Sequence, residues 1–144
     1  MFLKDYYPKL NTKYLKVKFD GISFNSNYVK KNFIFFALKG NTTDGNKFIK
    51  EAIIKGCNII ISEIHEEGFK GNILYLKNKN PRKLLAKFAT KLNNKKPNNL
   101  IAVTGTNGKS SIANFYYQIL RLNNKKVASI GTLGVSGIKF KKKN

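Results

Sequence analysis

Leu100-Ile101-Ala102-Val103-Thr104-Gly105-Thr106-Asn107-Gly108-Lys109-Ser110-Ser111 decides how the rest of this 144-residue chain is read. An apolar run ends in a turn holding Gly105 and Gly108, and Lys109-Ser110 follow directly. Ile112, Phe115, Tyr116, Ile119 and Leu120 then recur at the spacing of one helical face, which predicts a helix over 111–123. Buried strand, glycine turn and helix, in that order, let backbone N–H groups surround phosphate oxygens. The helix N-terminus adds unpaired donors and partial positive charge. Lys109 is placed to reach β- and γ-phosphates, and the Ser110 hydroxyl to ligate Mg²⁺. The general phosphate-loop pattern asks for a glycine at 103, where Val103 stands; Gly105 takes its part. The same residues would also suit a plain strand-to-helix turn carrying a surface lysine.

Downstream, Val127–Gly131 reads as a second strand and completes a βαβ unit, with a right-handed crossover expected. Upstream, residues 93–99 are polar and hold a proline, the best boundary in the chain. Before that boundary, Leu15–Phe19 alternates like a half-buried strand, and Ile22–Ser26 suits a second short one. Phe33–Leu38, Asn58–Ser62 and Asn72–Leu76 are apolar runs expected as strands, the first of them central. Gly40–Gly45 is a loop, and Asp44 is placed to cap a helix whose inner face is Phe48, Ile49, Ala52 and Ile53, closed by Gly56. Asn80-Pro81 opens another helix, with Leu84, Leu85, Phe88, Ala89 and Leu92 inward. Residues 64–71 read as a polar connection. Its His65, the only histidine, suits a solvated loop position, and the lone Cys57 suits the core.

The net charge of +21 is unevenly spread. Residues 1–67 hold all seven acids and carry +4, whereas residues 68–144 hold no acid and carry +17. The basic residues are almost all Lys among abundant Asn, Ile, Phe and Tyr, as A/T-rich coding would produce. Such a surface favours polyanionic small molecules; no nucleic-acid-reading motif is recognisable. No apolar run approaches the ~18 residues of a membrane span, and the N-terminus has no signal-peptide segment.

The loop Ala102–Ser111 resembles the ATP loop of the Mur ligase family, cytoplasmic ATP-dependent amide ligases of peptidoglycan synthesis. A second constellation agrees. Asn25-Ser26-Asn27, then Lys31–Ala37, then Gly40-Asn41-Thr42-Thr43-Asp44-Gly45, followed by a helix and the strand Ile59–Glu63, resembles the N-terminal domain of that family. The departures are Asn25 for Asp and Asn27 for Arg. Gly105–Lys109 and Ile130–Gly134 favour the branch that adds the third residue of the stem peptide.

The resemblance implies an α/β fold. Residues 1–93 would be a small UDP-binding domain, 94–99 a linker, and 100–144 the first βαβ unit of a Rossmann-like ATP-binding domain, begun and not finished. Phe24, Ser26, Asn41, Thr42 and Thr43 would contact uridine or its diphosphate. Gly105, Thr106, Asn107, Gly108, Lys109, Ser110 and Ser111 would hold ATP, with Lys109 catalytic and Ser110 on Mg²⁺. The implied partners are UDP-MurNAc-dipeptide and a diamino acid, diaminopimelate or lysine; a cytoplasmic monomer is expected, with no membrane or specific nucleic acid. Residues 68–144 offer no carboxylate for the metal, so the chain alone is expected to be inactive. Another phosphate-loop nucleotide-binding protein, or a basic nucleic-acid-binding module, remains the alternative.

Overall fold

A computed structural model describes residues 1–7, 9–93, 96–132 and 134–137. Asn94 and Lys95 of the expected linker, Leu133, and the Lys-rich end at 139–143 lie outside the described residues. The chain divides into two compact units, Met1–Lys96 and Pro97–Asn144.

The first unit is built on a five-stranded sheet: β1 (Gly21–Ser23), β2 (Phe33–Phe36), β3 (Ile59–Ser62), β4 (Gly68–Lys70) and β5 (Ile73–Lys77), in the order β1-β2-β3-β5-β4. β1, β2, β3 and β5 run parallel, and β4 is an antiparallel edge. The three apolar runs read from the sequence thus form the middle of the sheet, where both faces are covered and continuous Ile, Leu and Phe are expected. Register sorts these side chains. Ile34, Ile59 and Leu74 are level with one another, as are Phe36, Ile61 and Leu76. They face one core with Leu84 and Phe88 of α2 (Pro81–Leu92), joined by Leu3, Tyr7 and Tyr14. Phe35, Ile60 and Tyr75 alternate to the other face and meet Ile49 and Ala52 of α1 (Ile49–Ile54), with Val29 and Cys57. The unit therefore has three layers, with the sheet between α1 and α2.

The helix boundaries follow local chemistry. The Asp44 carboxylate accepts from Asn46 N and caps the 3₁₀ turn Gly45–Phe48 that leads into α1. Gly56 N–H closes the helix on Ile53 O at 2.9 Å. At α2, Asn80 Oδ1 accepts from Lys83 N at 2.9 Å and Pro81 takes the first helical position, where its missing N–H costs nothing.

Phe48, expected on the inner face of the helix, instead ends the 3₁₀ turn before α1 and is exposed, and two strand expectations also fail in this unit. Leu15–Phe19 is not a strand: Lys18 makes a single bridge to Phe2, Leu15 is exposed, and only Phe19 enters the core fully. Its hydrogen-bonding capacity is met by the N-terminal residues instead, with Leu3 N donating to Val17 O and Phe19 N to Met1 O. The polar connection 64–71 contains β4, whose three residues pair with β5 although Phe69 stays exposed.

The second unit contains α3 (Lys109–Leu122) and an antiparallel hairpin of β6 (Ser129–Gly131) and β7 (Gly134–Ser136). Leu100–Val103, expected as a buried strand, joins no ladder among the described residues, and Leu100 and Ile101 are exposed. A parallel strand is held by neighbours on its edges and cover on its faces. Among the described residues Leu100–Val103 has neither, and no parallel βαβ pairing is found there. Of the α3 face expected to be inner, Ile112, Phe115, Tyr116 and Ile119 are exposed and only Leu120 is half-buried; Tyr117 is the buried residue instead, with Ala113 and Asn114 half-buried.

Candidate functional site

In the first unit, four parallel strands end at one edge, so the segments after β1, β2, β3 and β5 all emerge there. Open α/β sheets bind ligands at that edge. After β1 comes Phe24, 63% exposed, then Ser26, 5% exposed at the start of the 3₁₀ turn Ser26–Tyr28. After β2 the chain forms a neck: Gly45 N donates to Leu38 O and Gly40 N to Thr43 O, each at 2.9 Å. A Cβ on Gly45 would lie 2.7 Å from Leu38 backbone atoms, so the neck closes only around glycine. Arg82 Nη2, on the first turn of α2, donates to Lys39 O at 3.2 Å and ties the neck to that helix. Asn41, Thr42 and Thr43 form the exposed tip. The hydrogen bonds from the Asn46 backbone and then its side chain hold the Asp44 carboxyl below its ordinary range, so the cap stays ionised. The sheet topology thus brings Phe24, Ser26 and Asn41–Thr43 to one edge.

A side-chain chain that the sequence did not announce lies beside Ser26. Ser26 Oγ hydrogen-bonds Glu51 Oε2 at 2.8 Å, and Glu51 Oε1 pairs with Lys55 Nζ at 2.5 Å. The same ammonium donates to Asn27 Oδ1 at 3.3 Å. Lys55 first and Ser26 second hold the Glu51 carboxyl below its usual range. Glu51 and Lys55 are recognisable as an i, i+4 helix pair, but nothing in the spacing of residues 26 and 51 links them.

In the second unit, Gly105 (φ 150°) and Gly108 (φ 73°) both take backbone angles that side chains rarely adopt, which is why glycine stands at these two positions. Gly108 is the N-cap residue of α3, and no side chain caps that helix. Lys109 Nζ donates to Gly105 O and to Thr106 O, the latter at 2.9 Å, so the ammonium rests on the loop's own carbonyls. Thr106, Asn107, Ser110 and Ser111 are exposed around it. Ser110 Oγ lies 3.1 Å from Thr132 Oγ1, in a cleft that Asn114 and Ser129 also line. Thr132 lies in the Ile130–Gly134 stretch, and its hydroxyl belongs to the same cleft as Ser110. These two hydroxyls are neutral oxygens. They suit magnesium only beside phosphate oxygens of a ligand, and no cluster of three His, Cys, Asp or Glu occurs among the described residues.

The model of the Mur ligase family, catalytic domain, matches residues 18–92, the greater part of the first unit and not the glycine loop. The chain belongs to the Mur ligase family. A UDP-N-acetylmuramoyl-L-alanyl-D-glutamate–2,6-diaminopimelate ligase of Rickettsia montanensis is 45% identical over 118 residues, 82% of this chain and 24% of that protein. The ligase of the same name from Clostridium tetani is 38% identical over 141 residues, 92% of this chain and 29% of that protein. A match covering 92% of the chain includes both the sheet and the glycine loop. The chain spans about a quarter of the length of these curated relatives. Among solved structures, a diaminopimelate ligase of the same name superposes with a TM-score of 0.70 over 96% of this chain and 29% of its own, at 24% identity, and shows the fold. The MurF ligase from Thermotoga maritima, in complex with ADP, superposes with a TM-score of 0.53 at 28% identity over 70% of this chain and 23% of its own. No helix among the described residues is long and apolar enough to cross a membrane.

Proposed function

We propose that this chain is the N-terminal part of an ATP-dependent ligase that joins 2,6-diaminopimelate to UDP-MurNAc-L-Ala-D-Glu. The observation that carries the reading is the 38–45% identity to diaminopimelate ligases, running through both the sheet and the glycine loop. In this reading the sheet edge with Phe24, Ser26 and Asn41–Thr43 holds the UDP end of the substrate. The exposed tip offers hydroxyls and N–H groups to phosphate oxygens, and Phe24 offers a face to the base. Gly105–Ser111 holds the ATP phosphates. ATP phosphorylates the D-glutamyl carboxylate, and the amine of the diamino acid displaces phosphate from that acyl phosphate. Lys109 must leave the Gly105 and Thr106 carbonyls to meet the γ-phosphoryl group, where its charge offsets what develops in transfer. Magnesium, when bound, screens the phosphate charge, with Ser110 as this chain's hydroxyl to it.

The test is an NMR titration of the 144-residue chain with UDP-MurNAc-L-Ala-D-Glu and, separately, with ATP. The first is expected to shift residues 24–26 and 40–45, with Thr42→Ala weakening it; the second is expected to shift 105–111, with Lys109→Ala weakening it at least tenfold while UDP-substrate binding is unchanged. Shifts that map elsewhere, or variants that bind as well as the parent, overturn the assignment.

A further inference from the structure

We propose that Glu51 is a positioning residue that fixes the polarity of Ser26, so that Ser26 accepts a hydrogen bond from the nucleoside half of the ligand and does not donate one to the diphosphate. This rests on the sheet-edge site proposed above and narrows it. The argument is a proton count. A serine hydroxyl has one proton to donate and two lone pairs to accept with. An ionised carboxylate only accepts. In the 2.8 Å contact between Ser26 Oγ and Glu51 Oε2, the proton therefore belongs to Ser26 and points at Glu51. The Lys55 ammonium on the other carboxylate oxygen favours the ionised form and keeps Glu51 in place. What remains of Ser26 Oγ toward a ligand is lone pair.

Diphosphate oxygens at neutral pH are acceptors and cannot satisfy a lone pair. The uracil imide N–H and the ribose hydroxyls are donors and can. A wrong pairing at Ser26, itself 5% exposed beside a Glu51 side chain that is 41% exposed, would leave two acceptors facing each other. A phosphate set against Ser26 would also approach the Glu51 carboxylate. The work of meeting the diphosphate then falls to the donors of the exposed Asn41–Thr43 tip, which no carboxylate engages among the described hydrogen bonds.

The test is binding of UDP, uridine, N3-methyl-UDP and 2′-deoxy-UDP to the 144-residue chain and its Ser26→Ala, Glu51→Ala and Glu51→Gln variants. Ser26→Ala is expected to weaken UDP and uridine by the same factor, about five- to tenfold. It is expected to cost nothing against whichever analogue has lost the partner, N3-methyl-UDP if the partner is the imide and 2′-deoxy-UDP if it is the 2′-hydroxyl. Glu51→Gln keeps an acceptor oxygen and is expected to retain binding. Glu51→Ala frees the hydroxyl to rotate while keeping its lone pairs, so it is expected to weaken uridine by less than Ser26→Ala does and to cost nothing further on the Ser26→Ala background, whereas a merely structural Glu51 would still cost binding there. A Ser26→Ala loss that disappears when the diphosphate is removed overturns the inference. So does a Glu51→Ala loss that persists on the Ser26→Ala background. Failure of the parent chain to bind UDP at all overturns the site itself, a different result from either.

Discussion

The two units carry equally clear helical and strand patterns, yet they do different things with them. In Met1–Lys96 the patterned residues are inside: Phe19, Phe36 and Phe88 are fully buried and meet at ring-centroid distances of 5.5–5.8 Å. In Pro97–Asn144 they are outside: Phe115 is 61% exposed, and Tyr117, at 8%, is the one buried hydrophobic residue among those described. Periodicity decides that a segment can be a helix or strand. Burial needs a second surface, and among the described residues only those of the first unit supply one on both faces of a sheet. The largest test of this contrast pairs two phenylalanines. Phe36→Ala is expected to lower the stability of the first unit by about 3–5 kcal/mol, through lost burial and a cavity against Phe88. Phe115→Ala is expected to cost under ~0.5 kcal/mol, as an exposed substitution does. Denaturant unfolding followed by tyrosine fluorescence measures both, and equal costs would mean that the α3 face is buried in solution.

The dryness of the first unit can be read from a single thiol. Cys57 is 2% exposed, its Sγ donating to Ile59 O at 3.0 Å, and burial pushes its pKa up from 9.0 to about 11. The folded state thus keeps the proton to a higher pH than the unfolded state does. Its contribution to stability is full below 9.0 and is lost as pH climbs through about 11, amounting to about 2 kcal/mol at the upper end. The loss of stability between pH 9 and pH 11 should be shallower in Cys57→Ala by that amount. Rapid alkylation of Cys57 in the native protein at pH 8 would contradict the closed core.

What was legible in the sequence divides along the same line. Phe33–Phe36, Ile59–Ser62 and Ile73–Lys77 are strands because continuous apolar runs can be buried only between two layers. Asp44 and Asn80 were legible because a cap is a contact between near neighbours in sequence. Leu15–Phe19 has the alternation of a strand, but its pairing partner is the N-terminus, whose sequence carries no pattern. Leu100–Val103 reads as a strand from its own residues, whereas a ladder depends on residues elsewhere. At the candidate site, the loops could be found by composition and resemblance. The contact of Ser26 with Glu51 spans 25 residues and depends on how the turn after β1 meets α1, which no local spacing encodes.

The smallest expected effect separates the two longer helices at their first turns. α2 is capped by its own sequence: Asn80 Oδ1 accepts from Lys83 N at 2.9 Å, so one first-turn donor is already satisfied. Asn80→Ala is therefore expected to cost the first unit about 1 kcal/mol in thermal or denaturant unfolding. α3 has Gly108 in the N-cap place and no side chain that caps it, which leaves the Lys109, Ser110 and Ser111 N–H groups free to turn to a ligand. If phosphates fill that role, ATP should slow hydrogen exchange at 109–111 and leave 82–84 unchanged, since the α2 cap has nothing to gain. Lys109→Ala should reduce that protection, because the ammonium that neutralises the phosphates is gone while the backbone donors remain. Asn80→Ala should leave it intact. If ATP protects neither helix, the open first turn of α3 is only a helix start, and the phosphate-loop assignment loses its support.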